Sequence, residues 1–255
     1  MLILDKFGFY WAAFVGIIIV RYFLIAGTAY WLFYSLDILC AWARSLRTRP
    51  VLKKAIQQDV ELSIISAIIF ALSAALIMSA YDSGMTQIYS AIEHYGKGYL
   101  VGSFLGVLFL QDTYFYFVHR AFHHSVLFKW FHWGHHRTGE PTPWTSFAFD
   151  PLEALVQALF LVGIVFLLPL HFVTLIALLL TMTLWTVWNH LGFELLPKSF
   201  PHHWLGRWLI GPTHHAIHHR KYRVHYGLYF TFWDRFLNTH DPNYEKEFFV
   251  GSRAE

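Results

Sequence analysis

The chain has 255 residues, 56% hydrophobic and 20% aromatic, with 14% charged residues and a formal net charge of +3. Soluble domains carry about a quarter charged residues, so this composition excludes an ordinary water-soluble globule and indicates an integral membrane protein. The lone Cys40 excludes an internal disulfide framework and a thiolate metal cluster, and the small positive charge needs no nucleic-acid partner, because basic residues beside membrane spans suit anionic headgroups.

The first apolar stretch runs from Tyr10 to Leu36. It is too long for a removable signal peptide and lacks a small-residue cleavage signature, so it is expected to remain as an anchor. A basic run follows at Arg44, Arg47, Arg49, Lys53 and Lys54, then further apolar stretches at Val60 to Ala80 and Gly98 to Val118. Two more, Leu152 to Leu170 and Phe172 to Leu191, meet at Pro169-Leu170-His171 as a tight hairpin. These lengths approach the ~20 residues that cross a bilayer core. The expected fold is an all-α integral membrane helical bundle of four or five spans carrying a His-rich helical cap. No linker, repeat or low-complexity tract divides the chain, so residues 1–255 read as one domain. Residues 1–118 are its anchor spans, and 119–255 its histidine-bearing region with the membrane hairpin 152–191.

The basic run between the first two spans marks that loop as cytoplasmic. By alternation, the Tyr81 to Lys97 loop lies outside, while His119 to Asp150 and everything after His190 lie inside. Only Lys6, Arg21 and Lys97 of nineteen Lys and Arg then fall away from the cytoplasmic side.

The histidines carry the chemistry. His119-x3-His123 is followed by two His-x2-His-His clusters, His132/His135/His136 and His215/His218/His219, with His190 between them. On a helix, positions i, i+3 and i+4 share a face with side chains ~5–6 Å apart, so each cluster offers several imidazoles to one point. A coincidental polar or pH-sensing surface explains one such cluster less awkwardly than two of identical spacing. Nine histidines exceed what one four-coordinate zinc uses, whereas two redox metals ~3.5–4 Å apart would occupy most of them. Neutral imidazoles at a membrane boundary suit iron or another redox metal that binds dioxygen. The substrate is then a lipid that slides in from the bilayer. A membrane zinc hydrolase is the alternative, but His-Glu-x-x-His is absent and no Glu lies inside a cluster as general base. A metal-binding or transport protein without oxygenase activity is a third, but these histidines sit at span ends rather than at the midplane.

These boxes, in this order and on this topology, resemble the fatty acid hydroxylase/sterol desaturase superfamily of membrane non-haem di-iron oxygenases. The likeness runs from Gln111 to Thr239. Asp112-Thr-Tyr-Phe-Tyr-Phe-Val-His119-Arg120 is similar to the family's entry to the first box, and Trp233-Asp234-Arg235 to its closing motif. Pro141-Thr-Pro-Trp-Thr-Ser-Phe-Ala-Phe149 and Tyr229-Phe-Thr-Phe-Trp-Asp-Arg235 resemble the sterol ring-B desaturases of the lathosterol oxidase type. Two departures bear on sterol specificity: Asp150 stands where those enzymes carry histidine, and His225 where they carry asparagine.

The resemblance implies an O2-dependent lipid hydroxylase or desaturase with two iron ions held by His119, His123, His132, His135, His136, His190, His215, His218 and His219. Asp112 and Asp234 are candidates to orient a ligand imidazole, with a plain interior polar role as the alternative for Asp112. Glu194, four beyond His190, is a candidate carboxylate ligand if the helix continues. His124, His202, His203 and His214 read as polar neighbours, and His94 and His171 face outward and are excluded. The chain has no dinucleotide loop, haem-attachment cysteine motif or Fe–S cysteine set, so electrons come from outside. The resemblance implies cytochrome b5 or a ferredoxin-type donor at the cytoplasmic cap. Arg220-Lys221-Tyr222-Arg223 suits an acidic donor or lipid headgroups. Gly251-Ser-Arg-Ala-Glu255 lacks a lysine retrieval signal, which leaves both a bacterial inner membrane and the endoplasmic reticulum open. Hydroxylation and desaturation share the first hydrogen abstraction, so the sequence leaves that choice, the substrate and the oligomeric state open.

Overall fold

A computed structural model describes residues 3–36 and 43–250. The expectations that rest on Cys40 and on Gly251 to Glu255 lie outside the described residues. Among the described residues four helices are long and apolar enough to cross a membrane: α1 (Ile3–Tyr30, prolonged to Ser35 by a wider π-helical turn), α2 (Lys53–Asp82), α3 (Gly96–Phe122) and α7 (Phe172–Asn189). None has an internal proline to interrupt its hydrogen bonds. The expected fifth span is α6 (Pro151–Leu167), which has 17 residues and returns into α7 as a hairpin. Pro151 starts α6 at a position where the missing N–H costs nothing.

In lipid there is no hydrophobic force between helices, so close packing relies on small side chains. Ala67, Ala71 and Ala75 form a buried stripe along α2, and Ala26 of α1 is fully buried in the same cluster as Ala67 and Ala71. Ile17, Leu24, Leu76, Val101, Leu105 and Ile176 are each at least half exposed on the outer faces. In water such a belt would be an aggregation patch; against acyl chains it is ordinary.

Between α5 (Trp133–His136) and α6 the chain makes a 3-10 turn, Pro143–Phe147, wedged between α1, α2 and α7. Non-helical backbone buried at this depth needs side chains to satisfy it. Tyr22 hydroxyl donates to the Trp144 carbonyl at 2.9 Å, and Ser66 hydroxyl donates to the Phe149 carbonyl at 2.9 Å while accepting its N–H at 3.3 Å. The Thr145 hydroxyl donates to Asp59 at 2.6 Å.

The molecule has two chemically different ends. At one, β2 (Ile88–Tyr89) pairs in parallel with β3 (Leu170–His171), and His94 and His171 pack on Tyr89. His171 Nδ1 accepts the Val173 N–H and so caps α7. At the other, ~27 Å along α7, lie His190, the end of α3 and the cap built from α4 (Ser125–Phe131), α5, α8 (Pro212–Lys221), α9 (Phe232–Phe236) and α10 (Tyr244–Val250). The short strand β1 (Arg44–Ser45) pairs antiparallel with β4 (Phe193–Glu194), and Arg220 donates to the Leu46 carbonyl. The basic loop and the histidine boxes therefore share one end.

Ser66→Ala tests the wedge. It removes the donor to the Phe149 carbonyl, while the Phe149 N–H keeps the Phe147 carbonyl, so the thermal midpoint in detergent should fall by an amount matching about 1–3 kcal/mol, whereas an unchanged midpoint would show that the turn is held by packing alone.

Candidate metal centre

His119 sits in the last turn of α3 and His123 caps that helix; His132 joins α4 to α5, and His135 and His136 end α5. His190 caps α7, and His215, His218 and His219 follow one another along α8. Pro212 starts α8, and Tyr222, in the left-handed conformation, ends it immediately after the third box.

The fold gathers all nine into two adjoining cages. His119, His123, His132, His136 and His218 form one, and His135, His190, His215 and His219 the other, with the candidate ligand atoms of each cage within 4.8 Å of one another. His136 and His219 rings, 4.3 Å apart, join the two. Eight of the nine are buried; His123 is half-buried.

The outer ring nitrogens fix the tautomers. His119 Nδ1 donates to the Tyr226 carbonyl (3.0 Å), His135 Nδ1 to Ala148 (3.2 Å), His190 Nδ1 to Thr186 (2.7 Å) and His218 Nδ1 to Val224 (2.7 Å). His132 Nδ1 donates to a carboxylate oxygen of Glu153 at 2.8 Å. A ring that donates through Nδ1 keeps a lone pair on Nε2. The Nε2 atoms of these rings and of His136, His215 and His219 crowd together: 2.9 Å for His119–His132 and 3.1 Å for His136–His218 in the first cage. In the second the spacings are 3.3 Å for His135–His190, 2.8 Å for His190–His215 and 3.0 Å for His215–His219.

In His119–His132 and His135–His190 both rings donate through Nδ1, so their lone pairs face each other and repel unless a cation lies between them. Protonation gives no relief, because burial pushes the pKa of His135 down to about 4 and those of His132, His136, His190, His215, His218 and His219 well down. The donor set fits metal ions. Two nitrogens ~2.1 Å from one ion lie ~3.0 Å apart at right angles and ~3.4 Å apart in a tetrahedron, so most of these spacings suit more than four-fold coordination.

Glu153 was not expected. Its signal was present, a carboxylate inside an apolar helix, where an ionisable group normally serves a site. The three acidic candidates act elsewhere. Asp112 touches no imidazole: its Oδ1 accepts the N–H groups of Leu228, Tyr229 and Phe230 at 2.7–3.2 Å. Asp234 accepts the N–H groups of Tyr226 and Gly227, so it fixes the loop whose carbonyl orients His119. Glu194 is not placed as a ligand, because the helix stops at His190. Its carboxylate accepts from Thr213 N–H and hydroxyl and from Leu196 N–H, which ties it to the start of α8.

Asp150, at the N-cap of α6, turns its side chain to the Gly134 N–H at 2.6 Å, which binds the second box to that helix. A Cβ on Gly134 would lie 2.4 Å from Asp150 Oδ1 and 2.9 Å from Leu62, which explains a glycine inside the box. His124 and His203 accept backbone N–H groups in local turns, as the expectation of polar neighbours requires. His214 and His225 do more, and pack with His240.

A membrane helical bundle with a buried polyhistidine centre at one end defines a class of integral membrane metalloprotein. Residues 104–239, just over half the chain, match the family model described as fatty acid hydroxylase. The chain belongs to that family. It is 30% identical over 207 residues to Delta(7)-sterol 5(6)-desaturase of Gibberella zeae, covering 81% of this chain and 62% of that one. To rat lathosterol oxidase it is 29% identical over 219 residues, 85% of this chain and 69% of the relative. To human lathosterol oxidase it is 36% identical over 141 residues, 55% and 46% of the two chains. No solved structure matches it.

Glu153 gives the test of ligand orientation. Glu153→Ala should lower the metal affinity of the purified protein 10- to 100-fold, seen as a matching loss of occupancy under a competing chelator, whereas Glu153→Gln, whose amide oxygen still accepts from His132 Nδ1, should keep most of it. Equal occupancy in both variants, read by elemental analysis, would remove Glu153 from the site.

Proposed function

We propose that the protein is a multi-pass membrane oxidoreductase that uses dioxygen to desaturate or hydroxylate a sterol-like lipid at a di-iron centre, the whole chain acting as one catalytic unit. The observation that carries this reading is the pair of imidazole cages abutting an apolar cavity inside the membrane spans. Family membership and the names of the relatives support it.

The cavity has a volume of about 500 Å³ and is lined by α1, α2, α3, α6 and α7 together with the Pro143–Phe147 turn and residues just after it. It follows α7 from Phe172 to Thr186, ~21 Å at 1.5 Å per residue. Ile17 and Ile176 line it yet are 57% and 56% exposed, which places a side opening between α1 and α7 toward the bilayer. At its inner end Phe149 stacks on His135 at 5.7 Å and Phe115 lies 5.0 Å from His119, so single aromatic side chains separate it from both cages.

Polarity is uneven along this cavity. Ile77, Met78, Ile88, Val165, Phe172 and Leu175 line the remote half with Ser73, which bonds to its own helix, while Arg21, Gln111, Ser146, Gln157 and Thr186 lie toward the histidines. Gln157 is one turn from Glu153 and its buried Nε2 has no partner. An unpaired amide N–H in an apolar wall is costly, and a substrate hydroxyl or carbonyl oxygen would satisfy it. The lipid is therefore held with its hydrocarbon remote and its polar group beside the centre.

Bound iron supplies the capacity to activate dioxygen and to abstract hydrogen from an unreactive C–H bond. The chain's residues provide the rest. Carbonyls and Glu153 hold five of the nine imidazoles in their ligating tautomer, the aromatic walls exclude water, and Gln157 sets which carbon faces the cages. The zinc-hydrolase alternative lacks its general base: among the described residues the cages contain only imidazole, and Glu153 is engaged with His132. The basic loop at the histidine end supports a cytoplasmic centre, in a bacterial inner membrane or the endoplasmic reticulum. An external donor such as cytochrome b5 or a ferredoxin would reach it there.

Protein purified in detergent should carry two irons and convert sterol only in the presence of oxygen and a reducing donor. His135→Ala and His218→Ala should each abolish turnover while the protein still reaches the membrane, and turnover surviving both would end the assignment. Gln157→Leu should raise KM for a hydroxysterol about tenfold, the cost of one lost hydrogen bond, with little change for its deoxy analogue. An equal effect on both substrates would remove Gln157 as the anchor.

A further inference from the structure

A third histidine group lies outside the two cages. His214 belongs to α8, His225 to the loop that follows, and His240 to the turn before α10, and one ring nitrogen of each lies within 4.8 Å of the other two. The rings meet edge to face, with centroids 4.9 Å apart for His214–His225, 4.7 Å for His225–His240 and 5.7 Å for His214–His240. His214 and His225 are each 1% exposed. His214 Nε2, His225 Nδ1 and His240 Nε2 are all buried and lack a hydrogen-bond partner. Three orphaned imidazole nitrogens in one spot are exceptional, because buried polar atoms are nearly always satisfied.

The backbone is shaped to bring them there. His225 has φ +57°, the left-handed conformation that favours glycine or asparagine, and strain of this kind persists where a site requires it. The Tyr244 ring stacks on His214 with centroids 3.8 Å apart and closes one side. Lys221 pairs with Asp241 next to the group, and its charge is thereby neutralised locally.

We propose that His214, His225 and His240 form a mononuclear site for zinc or a similar late divalent ion, separate from the two cages. It does not depend on the oxidative reading of those cages. Such an ion would tie α8, which carries three cage histidines, to the chain segments on either side of α9, with water as a fourth ligand. The site also has a built-in selectivity. Gly211 N–H points at His214 Nδ1 (3.2 Å) and Asp241 N–H at His225 Nε2 (3.3 Å), so without metal these rings carry their proton on the inward nitrogen. Binding moves that proton outward, where it faces the Gly211 and Asp241 N–H groups, so two long hydrogen bonds become donor–donor contacts that the two turns must relax. Only an ion with strong affinity for imidazole does so, which favours zinc and disfavours magnesium and calcium.

The full chain in detergent, stripped and reloaded with Zn²⁺, tests this by elemental analysis. The parent should hold three ions and His225→Asn and His240→Gln two each, asparagine being suited to the left-handed backbone. His135→Ala should lose cage metal but keep the third ion. Zn²⁺ should raise the thermal midpoint of the parent further than that of His240→Gln, and Mg²⁺ should do neither. If both variants bind as many ions as the parent, or the parent never exceeds two, the nitrogens hold ordered water and the proposal fails. Should His225→Asn misfold, the half-buried His240→Gln decides the matter alone.

Discussion

The structure depends on where the outer nitrogens of the buried imidazoles point. Four backbone carbonyls and Glu153 accept Nδ1 protons, which leaves the Nε2 lone pairs of five rings pointing inward, 2.9 Å apart for His119–His132 and 3.3 Å for His135–His190. Those acceptors come from five separate places in the chain: Tyr226, Ala148, Thr186, Val224 and α6. The cages are therefore only as well placed as the loops that supply the carbonyls. This gives Asp112 and Asp234 a purpose although neither touches a ligand. Asp234 holds the Tyr226 and Gly227 backbone, Asp112 the next three residues, and through Tyr226 both reach His119. A carboxylate that accepts several N–H groups fixes backbone more firmly than a side-chain amide of the same size.

The membrane sets a second constraint. A substrate path into the spans needs irregular backbone near the centre, and lipid tolerates this only where protein side chains satisfy it. The Pro143–Phe147 turn meets that condition through Tyr22, Ser66 and Asp59, and it presents Ser146, Phe147 and Phe149 to the cavity. The same residues thus hold the wedge and shape the lipid site. Phe149 links the two directly, being bonded to Ser66 through its backbone and stacked on His135 through its ring.

Much of this was legible in the sequence. Helical spacing of histidines and uninterrupted apolar runs are local properties, so the boxes and the four long spans could be read from the chain. The basic loop and the boxes share an end because helix alternation is a counting argument. What escaped depends on distant contacts. Nothing near Glu153 in the sequence announces His132, although an acid in an apolar helix is itself a signal. Glu194 looked like a ligand because four residues make one helical turn, but α7 stops at His190 and the geometry no longer applies. His214, His225 and His240 are separated by loops, and only the cap's folding makes them neighbours.

The crowding of lone pairs also bears on how the cap forms. A buried neutral imidazole can relieve a facing lone pair by protonation, by movement or by a metal ion. Burial opposes the first, and the five Nδ1 anchors oppose the second. The cap is held to the rest of the molecule by α3 and α7, by the β1–β4 pairing and by Asp150 and Glu153 at the start of α6. Ions that bind the cages stabilise the folded cap over its unfolded state by the whole of that relief in addition to the bonds themselves. The packing of the spans involves Ala67, Ala71 and Ala75 rather than histidine, so it does not draw on the cages.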